Sequence, residues 1–316
     1  MILGIAVTVA VLFATATVWI DHTGTNAVPS LFPPSEGDHR TTFVLNATFP
    51  KISDSYLVYK TVTPEVTTDF VEDIGRTFGL TGTAKPYIEA TGEISLVDGI
   101  KGVREQVSVY RYSGAVVYEI PDKGFPTYID SQPILPSEND AKEIALDYLM
   151  NRNLLPRDAE FTNVEVNQII GNATVSYNVT LAVRFSRNFN DIPVCGHDGL
   201  SVIIGNNSEV LGLVMNWRAV EPYKEISIKT PEEAYKELIA GKNRVQPPLE
   251  TMLDQATINE ISIGYWMEPR INKQEFVLPV YAFTGTAIDS EGREEPFRDF
   301  VSAVRSEGLE SLGVVY

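Results

Sequence analysis

SENDAKEIALDYL, residues 137–149, followed by the alternating stretch VSYNVTLAVRF, residues 175–185, decides how this chain is read. Ser137 stands where a helix's first amides need a side-chain acceptor, and Glu138 and Asp140 put negative charge at the positive end of the helix dipole. Ala141, Ile144, Ala145, Tyr148 and Leu149 then fall on one face at helical spacing, and Asn151-Arg152-Asn153 leads to a stop at Pro156. In the second stretch Val175, Tyr177, Val179, Leu181, Val183 and Phe185 alternate with polar residues, the pattern of a half-buried strand. Leu200 to Trp217 reads as two further strands folded around Gly205 to Ser208. A helix followed by strands that turn back with no helix between them predicts an antiparallel meander with the helix packed on one face.

The same plan is read twice more. Thr63-Pro64-Glu65 places a capping residue before a proline at the first helical position, with Val66, Phe70, Ile74 and Phe78 as the apolar stripe and Gly79 as the end. Strands are expected at Tyr87 to Ile94 and at Gln106 to Ile120, the latter folded at Ser113-Gly114. Thr230-Pro231-Glu232-Glu233 is a capping box, its helix ending at Gly241. Strands follow at Ile261 to Trp266, Phe276 to Thr286 and Phe297 to Val304. The helix starts are 73 and then 93 residues apart, too long for a solenoid. The expected fold class is therefore α+β: three helix-plus-antiparallel-meander units (55–132, 133–226 and 227–316) after an N-terminal hydrophobic helix.

That terminal segment is Ile2 to Ile20, 19 residues without a charge. As a helix it would measure ~28 Å, close to the ~30 Å hydrocarbon layer, so residues 1–20 read as a transmembrane anchor or a signal segment. Ala14-Thr15-Ala16 offers a small-x-small site for the second alternative, secretion after cleavage. The first cation is Arg40, and Asp21 to Thr25 is polar and acidic, which places the bulk of the chain outside the cytoplasm. Residues 21–54, rich in Pro, Ser and Thr, read as a polar spacer. Four N-x-[ST] sequons, at Asn46, Asn172, Asn178 and Asn206, are candidate N-glycosylation acceptors.

Across 316 residues, 42 acidic side chains stand against 25 basic ones, a formal charge of −17 that repels nucleic acid and excludes it as a partner. The single cysteine, Cys195, forms no intrachain disulfide. Cys195-Gly196-His197-Asp198 reads as a hairpin turn with two glycines, because the other histidines, His22 and His39, fall in the spacer and leave no zinc set. Glu291, Glu294 and Glu295 read as a solvated turn, and no phosphate-binding, dinucleotide-binding or hydrolase nucleophile motif is present. No catalytic residue, cofactor or metal is assigned. Tyr265 and Trp266, in the aromatic Gly264 to Pro269 stretch, are the candidate lining of a ligand or partner groove.

The helix Ser137 to Leu146 with its following meander resembles the start of PepSY-type modules. Phe185 to Glu221, with Asp191-Ile192-Pro193-Val194, the Leu200 to Ile204 strand and Gly212 to Trp217, looks like the extracytoplasmic regulators of the YycH and YycI type. The resemblance covers about residues 54 to 304. It implies non-enzymatic extracytoplasmic domains that bind or restrain other proteins, with no catalytic residues to carry over. The expected function is a membrane-tethered extracytoplasmic interaction or regulatory protein without catalytic activity, bound to a protein or cell-envelope partner and reaching the membrane through residues 2–20. The alternatives are a structural subunit of a surface filament or envelope layer, self-associating through the terminal helix, and a secreted hydrolase with an unrecognised site.

Overall fold

Strands far outweigh helices in the computed structural model, which describes residues 41–100, 103–126, 129, 131–171, 175–246 and 253–313. In chain order the elements are β1 (Thr42–Leu45), β2 (Ser55–Val62), α1 (Thr68–Thr77), β3 (Lys85–Ile88), β4 (Glu93–Ile100), β5 (Val103–Tyr110), β6 (Val116–Glu119), α2 (Pro121–Gly124), α3 (Glu138–Met150), β7 (Glu160–Gly171), β8 (Ser176–Ser186), β9 (Asn188–Phe189), β10 (Ile192–Gly196), β11 (Gly199–Ile204), β12 (Val210–Asn216), β13 (Ala219–Ser227), α4 (Pro231–Ile239), β14 (Leu253–Met267), β15 (Phe276–Asp289), β16 (Glu294–Ser302) and α5 (Ser306–Glu310).

These elements divide into two compact units, not three. Among the described residues the first unit holds Glu65–Ser186 and Gly199–Trp217; the second holds the residues up to Pro64, Arg187–Asp198 and everything from Arg218 on. The expectation of three helix-plus-meander units is thereby overturned, and the terminal hydrophobic helix expected before them lies outside the described residues. The cause is β6, whose Val116–Glu119 pair with Met215–Gly212 of β12 and fuse the first two expected meanders into one antiparallel sheet of eight strands. Its order is β3-β4-β5-β6-β12-β11-β8-β7.

In the first unit α1 and α3 supply the cover of that sheet. Thr67 caps α1, its Oγ1 accepting from the Phe70 amide at 3.2 Å, four residues later than the Thr63 cap expected from sequence. Ser137 caps α3 as expected, accepting from the Asp140 amide at 3.3 Å. Val71, Ala141, Ala145 and Leu149 are fully buried against Ile94, Leu96, Val107, Val202 and Leu213 of the sheet. Each large aliphatic side chain so removed from water contributes ~1.5–3 kcal/mol.

The second unit is organised on two long strands. β14 and β15 run antiparallel over most of their length, and each takes different partners along its outer side: β14 carries β1 near its start and β10 near its end, both parallel, while β15 carries β2 and then β16. β1 falls inside the stretch expected as spacer, and β13 continues the sheet beyond β2. Ala234 and Leu238 of α4 pack on Ile258, Tyr281, Phe283 and Val301, and Leu309 of α5 packs on Val58 and Ile226. The capping box is formed: the Glu233 amide donates to Thr230 Oγ1 at 3.2 Å and the Thr230 amide to Glu233 Oε2 at 2.7 Å.

Candidate functional site

The chain passes from the first unit to the second between Ser186 and Arg187, back between Asp198 and Gly199, and over again between Trp217 and Arg218. At those passages the second unit buries a polar knot. Arg187 Nε donates to Asp198 Oδ2 at 3.0 Å and Nη2 to Oδ1 at 2.8 Å, a two-pronged ion pair whose side chains are 3% and 1% exposed. Arg187 Nη2 also donates to the Arg218 carbonyl at 2.9 Å. Arg218 reaches onward, its Nη2 donating to the carbonyls of Pro269 at 2.8 Å and Asn272 at 2.9 Å in the β14–β15 connection. Arg187, Asp198 and Arg218 of the second unit are thus tied to one another and to a hairpin loop of the same unit.

That loop has its own framework. Glu268 accepts from Trp266 Nε1 at 2.7 Å and from Asn272 Nδ2 at 3.1 Å, and the Gln274 side chain bonds the Glu268 amide and the Trp266 carbonyl. Burial raises the Glu268 carboxyl above its ordinary range against the opposing pull of its two donors and Arg218. Burial likewise pulls the Arg218 guanidinium down to about 10, partly offset by Glu268 and Asp198. The guanidinium donors named here are aimed at the chain's own carboxylate and carbonyl oxygens, so the knot is a positioning device. A second pair, half-buried Arg244 with fully buried Asp299, ties the α4–β14 connection to β16.

Cys195 to Asp198 is not a hairpin. β10 lies parallel to β14 in the second unit, and β11 pairs with β8 and β12 in the first, so these residues are a passage between units. The glycines do take left-handed backbone, φ being 82° at Gly196 and 142° at Gly199. Burial pushes the Cys195 thiol up to about 11 and the His197 imidazole down, so both are held toward their uncharged forms at neutral pH. Glu291 is exposed in a loop whose turn is closed by Asp289 accepting from the Glu291 and Arg293 amides, both at 2.9 Å, while exposed Glu294 and half-buried Glu295 begin β16. No group of three or more metal-ligating side chains occurs among the described residues.

Tyr265 and Trp266 are 2% and 5% exposed, and neighbouring positions of β14 send them into different clusters. Tyr265 packs on Tyr59 with ring centroids 5.2 Å apart and donates its hydroxyl to the Leu57 carbonyl at 2.7 Å. Trp266 packs on Phe300 at 5.1 Å. Asn46, Asn178 and Asn206 are exposed, and Asn172 lies outside the described residues. Asn46 Nδ2 donates to Asn259 Oδ1 at 3.0 Å, and Asn206 Oδ1 accepts from the Ile134 amide at 2.8 Å beside an open depression of about 610 Å³ in the first unit. The residues of the knot carry no sequence motif: Arg187, Asp198, Arg218 and Glu268 are spread over 82 positions and meet only through the sheet topology.

No family model and no curated protein matches the chain. Solved structures do. An uncharacterised protein from Eubacterium rectale is similar over 84% of this chain and 88% of its own, at 11% identity and a TM-score of 0.48. The C-terminal domain of Bacillus megaterium YpeB is similar over 74% of this chain and 98% of its own, at 14% identity and a TM-score of 0.35.

Proposed function

We propose that this chain is a membrane-tethered extracytoplasmic protein that acts by binding, holding or restraining a protein or cell-envelope partner without catalysing a reaction on it. The uncharged run Ile2 to Ile20 carries the reading, because 19 residues of that composition suit a bilayer and stand ahead of a large acidic body. Those residues lie outside the described ones, and among the described residues no helix is long and apolar enough to cross a membrane. The order at Ser137, a capped α3 followed by the antiparallel pair β7 and β8, supports the PepSY-type resemblance and with it a binding role. Exposure of Asn46, Asn178 and Asn206 leaves those acceptors open to glycosylation where the host supplies it.

Protease added to intact cells tests the reading. Digestion of the body while residues 2–20 stay with the alkaline-washed membrane fraction is the expected result. A body that is protected until the cells are lysed overturns it.

A further inference from the structure

We propose that β7 is a docking edge for a second copy of this chain, with the two β7 strands pairing antiparallel about a two-fold axis. A sheet edge offers unpaired amides and carbonyls to any extended strand, and proteins guard such edges with proline, lysine or short length. The other ends of the two sheets are guarded in this way. β3 is four residues long and carries Lys85 and Pro86; β13 carries Pro222 and Lys224 with a register shift between them; β9 has two residues and β1 four; and β16 carries Pro296. Among the described residues β7 closes the first unit's sheet, with twelve residues that include neither proline nor lysine. It also exposes Phe161 at 38%, Val166 at 40% and Ile169 at 53%.

Charge selects the occupant. The whole chain carries −17 and repels its own kind, yet at this edge two acids meet two bases. Arg184 Nε donates to Glu165 Oε1 at 2.6 Å, and Lys142 Nζ lies 4.4 Å from the Phe161 ring centroid, next to Glu160. The patch is locally neutral, which admits a second copy and gives no preference to a basic partner. Antiparallel pairing centred on Val166 sets Val166 against its own copy and Glu165 against Asn167, so no carboxylate faces another. Three register shifts against β8 twist the strand without blocking its outer edge. Because β3 is guarded, growth stops at two copies, a closed isologous pair.

The test uses the full chain in detergent and does not depend on the tether reading. Sedimentation velocity is expected to show a concentration-dependent dimer, weakened ~10-fold or more by Val166→Lys combined with Ile169→Lys, with the circular dichroism unchanged. In a Cys195→Ser background, Val166→Cys is expected to give a covalent dimer on mild oxidation. A wild-type chain that stays monomeric throughout the micromolar range overturns the proposal. So does a dimer that survives both lysines without the Val166→Cys cross-link, as one held by residues 2–20 would. Capture of a chain of different sequence by a photo-crosslinker at Ile169 also overturns it.

Discussion

Arg187 and Asp198 clasp each other with two hydrogen bonds of 3.0 and 2.8 Å at the opposite ends of the excursion that β9 and β10 make into the second unit. With both side chains buried, removing one partner leaves the other as an uncompensated charge. Asp198→Ala is expected to cost about 3–5 kcal/mol in urea unfolding. Arg187→Met together with Asp198→Leu should recover much of that, since an apolar pair leaves no orphan. A loss below ~1 kcal/mol for Asp198→Ala would show that water reaches the pair.

Gly285 sits where β15 passes the irregularity between Ile258 and Glu260 of β14, and a Cβ there collides with the Thr257 carbonyl. Gly285→Ala should therefore destabilise by about 1–3 kcal/mol or more, because backbone cannot step aside as a flexible side chain can. Gly99→Ala, whose Cβ would meet nothing within 4 Å, is the control. Equal melting temperatures for the two variants would contradict this.

The α4 cap is expected to behave as two separable parts. Thr230→Ala removes the acceptor for the Glu233 amide and should cost about 1 kcal/mol. Arg305 Nη2 still donates to Glu233 Oε2 at 2.7 Å in that variant, so adding Arg305→Ala should lower the melting temperature further.

Asp98 accepts from the Thr81 amide at 2.8 Å and its hydroxyl at 3.2 Å, and these bonds hold its carboxyl below the ordinary range. A carboxylate so lowered contributes stability that is complete above the unfolded value of ~3.9 and disappears as pH falls through the folded one. Glu165, Glu233 and Asp289 are lowered as well and act in the same acidic window. Asp98→Asn should flatten the fall in melting temperature below about pH 4 without abolishing it. Glu268 and Asp299, both raised by burial, have the opposite sign and favour the native state at lower pH. An Asp98→Asn profile parallel to wild type would refute the assignment.

Because burial pushes the Cys195 thiol up to about 11, its thiolate fraction at pH 7 is ~10⁻⁴. Alkylation of the native chain at pH 7 should run ~10²-fold slower than that of an unstructured peptide thiol, with urea restoring the ordinary rate. Fast alkylation of the folded protein would mean that the site opens.

What the sequence made legible was local. Ser137 and the Thr230–Glu233 box name their helices because a cap is written within four residues, and the Ser113-Gly114 and Gly205–Ser208 turns are written as plainly. Thr63-Pro64 misplaced the α1 cap, since Thr67 offers the same chemistry one turn later and only packing of Val71 and Gly75 chooses between them. β7 went unread because its register shifts break the alternation, and β13 because Pro222, Lys224 and Glu225 look like loop. Strand neighbours are not written locally at all. Nothing near Val116 announces β12, and nothing near Arg187 announces Asp198 or Arg218, so both the two-unit division and the buried knot emerge only from the topology.

β2 finds its partners in β13 and β15, which lie beyond the whole of the first unit. During synthesis at ~5–20 residues per second, the ~160 residues between Val62 and Ala219 take ~8–30 s to emerge. Throughout that interval Leu57, Val58 and Tyr59 wait without the strands that will cover them. The order of manufacture therefore makes β2, an early strand of the second unit, among the last to be satisfied, and a ribosome stalled anywhere before residue 219 releases a chain with a sticky, unmatched strand ahead of the first unit.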